Sequence, residues 1–175
     1  IIYKVVYVWD ISQTEGKAPP QPPDTLKVKG NTDLFSILEE LTSEHGIILE
    51  YVDSLPRGYG VSEMGHIRIL KHLKDSERFH ILAHELAHEL LHGIQERFGL
   101  SSKVKELEAE ASAYIVCRHF GLRPNSPTYL ALYRIEELDI RNSLEKILSA
   151  ASKIIQGMED RLAKSGGNHT QLPAP

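Results

Sequence analysis

The chain has 175 residues, enough for one domain with its own hydrophobic core and too few for several. Its net charge of -4 supplies no global basic field for nucleic acid, so contact with DNA would need a local patch or another domain. The single cysteine, Cys117, excludes an internal disulfide, and no signal peptide or bilayer-length apolar run is present. Together these features point to a reducing, cytoplasmic setting with no membrane contact. Cys117 lies in an apolar helical run and reads as a buried structural thiol.

From the N-terminus, Ile1 to Ile11 is rich in Ile, Tyr and Val and predicts a β-strand. The first residue is not Met, which suggests a piece of a longer protein. The run Ala18-Pro19-Pro20-Gln21-Pro22-Pro23 predicts a stiff extended connector, so residues 1–23 form an arm and 24–164 the folded domain. Asn31 or Thr32 is suited to cap a helix carrying Leu34, Phe35, Ile37, Leu38 and Leu41, which stops near Gly46. Ile47 to Val52 and His66 to Leu70 predict strands, separated by a loop with Pro56, Gly58 and Gly60.

Asp75 or Ser76 is suited to cap the next helix, which runs to about His92 and is terminated by Gly93. A helix from about Ser102 to Phe120 follows, ending at Gly121, and Ser126-Pro127 predicts the start of another. Ile140, Leu144, Ile147, Leu148, Ala151, Ile155, Met158 and Leu162 form an apolar stripe along a long last helix. Residues 165–175 lack periodicity and predict a disordered tail. Strands come first and helices later, so the expected class is α+β.

Nine histidines are many for this length, and His80, His84, His88 and His92 recur every fourth residue in one helix. Within it, His84-Glu85-Leu86-Ala87-His88 reads HExxH. Residues i and i+4 stack on one helical face, so both imidazoles can reach one ion. Glu85 borders the same site and is suited to take a proton from water and pass it to a leaving amine. A second motif, His88-Glu89-Leu90-Leu91-His92, overlaps the first but ends at the helix terminus, where fraying makes ligand geometry less secure. The first is therefore preferred, with His92 as a pocket or supporting residue. His80 reads as a pocket-edge or solvent residue.

A mononuclear catalytic zinc site needs a third protein ligand. Leu91 and Ile94 stand where the metzincin spacing requires Gly and His, so that subclass is excluded. The alternative is a glutamate from the run Glu106-Leu107-Glu108-Ala109-Glu110. Glu106 and Glu110 share a face, whereas Glu108 lies roughly 200° from Glu106 and is expected in solvent. Glu106 as ligand, with Glu110 orienting a ligand imidazole, is the preferred arrangement; Glu110 as the ligand is the alternative. Zinc suits two histidines and a carboxylate, and manganese or another divalent ion could use the same set. Tyr59, in the loop before the metal helix, reads first as an ordinary loop tyrosine and second as a candidate to polarise a scissile carbonyl. The segment from Arg57 to Ile69 is suited to hold a protein or peptide substrate by strand addition.

Phe79 to His92, reading FHILAHELAHELLH, resembles the helix of zincin-like peptidases of the ImmA/IrrE type. Glu106 to Cys117, reading ELEAEASAYIVC and followed by Gly121, resembles the C-terminal metallopeptidase domain of ArdC-like antirestriction proteins. Val8 to Gly16, reading VWDISQTEG, is similar to the segment joining that family's single-stranded-DNA-binding domain to its peptidase domain, and Ala150-Ala151-Ser152 fits its last helix. The resemblance implies a zincin-like fold, metal on His84 and His88, Glu85 as general base and a glutamate ligand from the Glu106/Glu110 pair. It also implies an upstream domain that binds single-stranded DNA. Glu110 departs from the Asp or Asn that ImmA/IrrE-type relatives tend to carry. Two functions follow: a zinc metalloendopeptidase, or a non-proteolytic antirestriction module that protects DNA and holds a structural metal.

Overall fold

Glu77 starts the central helix by reaching back to the backbone N–H of Lys74, 3.0 Å away, which satisfies one of the donors a helix N-terminus leaves open. Helix α2 (Asp75–Leu91) follows, and neither Asp75 nor Ser76 is its cap, because both already lie inside the first turn. The computed structural model describes residues 27–30, 32–92, 100–126, 130 and 135–164. The predicted N-terminal strand, proline-rich arm, Gly93 stop and C-terminal tail lie outside them, as does most of the helix predicted from Ser126-Pro127.

Among the described residues, the chain runs β1 (Val28–Lys29), α1 (Phe35–Glu44), β2 (Ile48–Val52), β3 (Gly60–Ser62), β4 (His66–Leu70), α2, α3 (Ser102–His119), β5 (Arg123–Pro124) and α4 (Glu137–Lys164). The class is α+β, as the order of elements predicts. Thr32 Oγ1 accepts from the N–H of Leu34 at 3.0 Å ahead of α1. Ser101 caps α3 by accepting from Val104, and Gly121 terminates it with φ 80°, the left-handed conformation glycine takes without strain.

The three-stranded sheet has the order β2-β4-β3, with β2 parallel and β3 antiparallel to the central β4. Among the described residues this leaves β2 and β3 as the outer strands. β3 turns into β4 through Met64 (φ 47°) and Gly65 (φ 86°), both left-handed, as a tight hairpin turn requires. A separate two-stranded ladder joins β1 to β5.

Ile67 and Ile69 of β4 point inward against α2 and are fully buried. Helix α2 packs on α1, α3, α4 and the sheet, which explains why Phe79, Leu82, Ala83 and Leu86 have no exposure. Ala113, Val116 and Cys117 of α3 and Ala151, Ile154 and Met158 of α4 complete the core. Cys117 is the buried thiol the sequence predicts, and burial pushes its pKa up. The apolar stripe of α4 is only half used. Ile147, Ala151 and Met158 are buried, but Ile140, Leu144 and Leu148 are 41–48% exposed. The buried line passes instead through Ser143, Ile147, Ala150 and Ile154. No described helix is long and apolar enough to cross a membrane.

Candidate metal centre

The histidine stripe of α2 lies against α3, and this contact assembles the site. His84 Nε2 and His88 Nε2 face each other at 3.1 Å. The Glu106 carboxylate of α3 closes the triangle, 3.6 Å from His84 Nε2 and 3.7 Å from His88 Nε2. Ligand atoms held at about 2.0–2.1 Å by one tetrahedral ion stand roughly 3.3–3.4 Å apart. The two glutamate distances end on different oxygens, Oε2 towards His84 and Oε1 towards His88, and all three distances lie near that spacing, so His84, His88 and Glu106 together can hold a metal ion. The two imidazoles are largely buried and Glu106 is a quarter exposed, which leaves the cluster open on one side.

Glu110 stands behind the cluster. Its Oε2 is 2.9 Å from His84 Nδ1 and its Oε1 is 3.0 Å from His80 Nε2. A carboxylate only accepts, so His84 donates through Nδ1 and its Nε2 is the atom that faces the site. This separates the two glutamates as the shared-face reading does: Glu106 stands at the ligand edge, and Glu110, the alternative ligand, has both oxygens engaged by histidine nitrogens on the far side.

The charges follow from this packing. Burial works against a charge on His84, but the hydrogen bond to Glu110 and the charges of Glu85, Glu110 and Glu106 outweigh it and raise its pKa to about 9. Burial also opposes ionisation of Glu110, yet His80 and His84 hold its carboxyl well below the usual range. His92 is lowered by burial, only partly offset by Glu108.

Glu85 lines the same cleft, of about 690 Å³, and is 7% exposed. It sits directly under the edge strand. A Cβ built on Gly60 would stand 2.9 Å from Glu85 Oε1, 3.0 Å from Glu85 Cγ and 2.5 Å from Ile81 Cγ2. Only glycine therefore lets β3 approach the carboxylate this closely. Tyr59 is exposed at the mouth of the cleft, and its carbonyl accepts from Leu70.

One sequence expectation is corrected, and the readings of His80 and His92 are narrowed to their cleft-lining alternatives. Glu108 is not solvated: it is 2% exposed, with Oε2 on His92 Nε2 at 2.9 Å and Oε1 on Ser143 Oγ at 3.0 Å. Helix α3 is covered by α2 on one side and α4 on the other, so the wheel face opposite Glu106 also meets protein. His80 is not a solvent residue either, being 6% exposed and held by Glu110, although it does line the cleft. His92, at the helix end, does not fray; it is 2% exposed and its N–H bonds to the His88 carbonyl. The overlapping motif is also accounted for, since Glu89 Oε2 accepts from Gly65 N at 2.8 Å and braces the β3–β4 turn. Outside the cluster, His119 bonds to Glu159 at 2.9 Å on the surface and ties α3 to α4.

No family model matches the chain, no curated protein matches it, and no solved structure matches it.

Proposed function

We propose that this chain is a zinc-dependent metalloendopeptidase domain of zincin-like fold, related to the peptidase domain of ArdC-like antirestriction proteins. The observation that carries this reading is the position of Glu85, which stands beside the His84–His88–Glu106 cluster and under the edge strand β3. A purely structural metal site has no use for a buried carboxylate between the ligands and an open cleft.

Two histidines and a carboxylate suit zinc, and manganese is the main competitor for the same donors. An ion bound there supplies a Lewis acid at neutral pH. The rest of the work falls to the chain itself. A peptide laid along β3 as a further strand would bring its backbone across the cleft. Glu85 takes a proton from the attacking water and returns it to the leaving amine. Tyr59 lines the same cleft, and its phenol would donate to the carbonyl oxygen as charge develops. Glu110 holds the His84 ring by its Nδ1–H.

The Val8 to Gly16 resemblance extends the proposal to an upstream domain that binds single-stranded DNA, in a cytoplasmic antirestriction protein of a mobile element. A non-proteolytic DNA-protection module with a structural metal is the competing reading, and no observation among the described residues favours it. One experiment separates the two. Glu85→Gln should keep fold and metal but lose hydrolysis in a peptide-library screen on the zinc-loaded chain. Undiminished cleavage by metal-loaded Glu85→Gln would refute the role of Glu85.

A further inference from the structure

Behind His88 runs a buried hydrogen-bonded chain that reaches a helix with no ligand on it. His88 Nδ1 is 3.1 Å from His92 Nδ1, and His92 Nε2 is 2.9 Å from Glu108 Oε2. The other oxygen of Glu108 accepts from Ser143 Oγ of α4 at 3.0 Å. Ser112 fastens the same junction, bonding both the Glu108 carbonyl and the Ile147 carbonyl of α4. His92, Glu108, Ser112 and Ser143 are all nearly inaccessible to solvent.

Hydrogen-bond capacity fixes the direction of this chain. A carboxylate has no proton to give, so His92 Nε2 is the donor to Glu108. A neutral imidazole with its proton on Nε2 has a lone pair on Nδ1. His88 must then donate through Nδ1, which leaves its Nε2 lone pair facing His84 and Glu106. The reverse arrangement, a proton on His92 Nδ1, would put the proton of His88 on Nε2 and turn its ligand atom into a donor.

We propose that His92, Glu108 and Ser143 are positioning residues of the metal centre, a relay that holds His88 in the tautomer able to bind a cation. The two ligand histidines are thus set differently: His84 by Glu110 directly, and His88 by Glu108 through an intervening imidazole. Helix α4 becomes part of the centre although it offers no ligand. The proposal rests on the metal-site reading for its function, but the tautomers themselves can be read without metal.

The test uses the full chain, with zinc as the probe. Long-range proton–nitrogen NMR on the zinc-free wild type should show His88 protonated on Nδ1 and His92 on Nε2. His92→Phe, which fills the space without either polar group, should bind zinc about 10–100-fold more weakly in chelator competition. His92→Gln can accept with its carbonyl and donate with its amide, so it should stay within about threefold of wild type by the same capacity argument. A merely structural His92 would not separate the two variants in zinc affinity at matched folding. His88 protonated on Nε2 in a zinc-binding wild type refutes the relay alone, as does equal zinc affinity in folded Phe and Gln variants. Should His92→Phe not fold, the wild-type tautomers decide. A wild type that takes up no zinc refutes the metal-site reading, and the positioning role falls with it.

Discussion

Gly60→Ala places one methyl group where the edge strand meets the cleft floor, and its cost can be worked from distances. The new Cβ would lie 2.5 Å from Ile81 Cγ2 and 2.9 Å from Glu85 Oε1, against about 3.5–4.0 Å for a relaxed carbon contact. Ile81 and Glu85 are both 7% exposed, so neither side chain can swing freely into solvent. The strand or the two side chains must shift by roughly 1 Å, an overpacking that costs about 1–3 kcal/mol. Urea unfolding would register this as a lower midpoint with unchanged slope. Ile81→Ala removes the shorter contact. The Gly60→Ala penalty should therefore shrink in that background, with a coupling of about 1 kcal/mol between the two sites. In the zinc-loaded protein, Gly60→Ala should keep the metal and lose roughly 100-fold in any peptidase activity, because Glu85 is displaced while the ligand atoms are not. Additive unfolding energies, or a Gly60→Ala protein as stable as wild type, would refute the close packing of β3 on Glu85.

Metal affinity should depend on pH in a defined window. With its pKa at about 9 instead of 6.5, His84 holds a proton at pH 7 that a metal must displace, a penalty of about 3 kcal/mol at 1.36 kcal/mol per unit. Zinc affinity should then rise about tenfold per unit from pH 7 towards 9, and a flat profile in calorimetry would contradict this. In the metal-free protein the sign reverses: the raised pKa contributes stability that is complete below about pH 6.5 and is lost as pH rises through 9. Glu110 acts in the opposite direction, because its depressed pKa gives stability that is present above the usual carboxylate range and lost as pH falls below it. Glu110→Ala would strand two buried histidine nitrogens, and thermal unfolding should show a loss of about 3–5 kcal/mol. Met64→Gly relieves a left-handed residue that is 68% exposed, and should stabilise the chain by about 1 kcal/mol in chemical denaturation.

Much of this arrangement was legible in the sequence because it is local. The common face of the four-residue histidine repeat and of Glu106 and Glu110 follows from helix geometry, the strands at β2 and β4 from short β-prone apolar runs, and the stop at Gly121 from glycine's left-handed freedom. What was hidden depends on the neighbours of each helix. Glu108 looks solvated on an isolated helical wheel, and only the packing of α4 on the far side of α3 buries it. Nothing local in Ser143 announces a bond to a residue 35 positions away. His92 looks frayed at a helix end, yet Glu108 and burial hold it. Gly60 reads as a loop glycine until the approach of Glu85 is seen. Ile140, Leu144 and Leu148 belong to the apolar stripe of α4 by periodicity yet stay exposed, because periodicity marks a face and not how far its neighbours cover it.

Elemental analysis of the zinc-reconstituted chain decides whether the cluster binds a metal, with His84→Ala, His88→Ala, Glu106→Ala and Glu85→Gln measured alongside wild type. About one zinc per chain is expected in wild type and in Glu85→Gln, and its loss in His84→Ala, His88→Ala and Glu106→Ala. A wild type that takes up no metal, or full zinc content in the histidine variants, would contradict the metal-site reading.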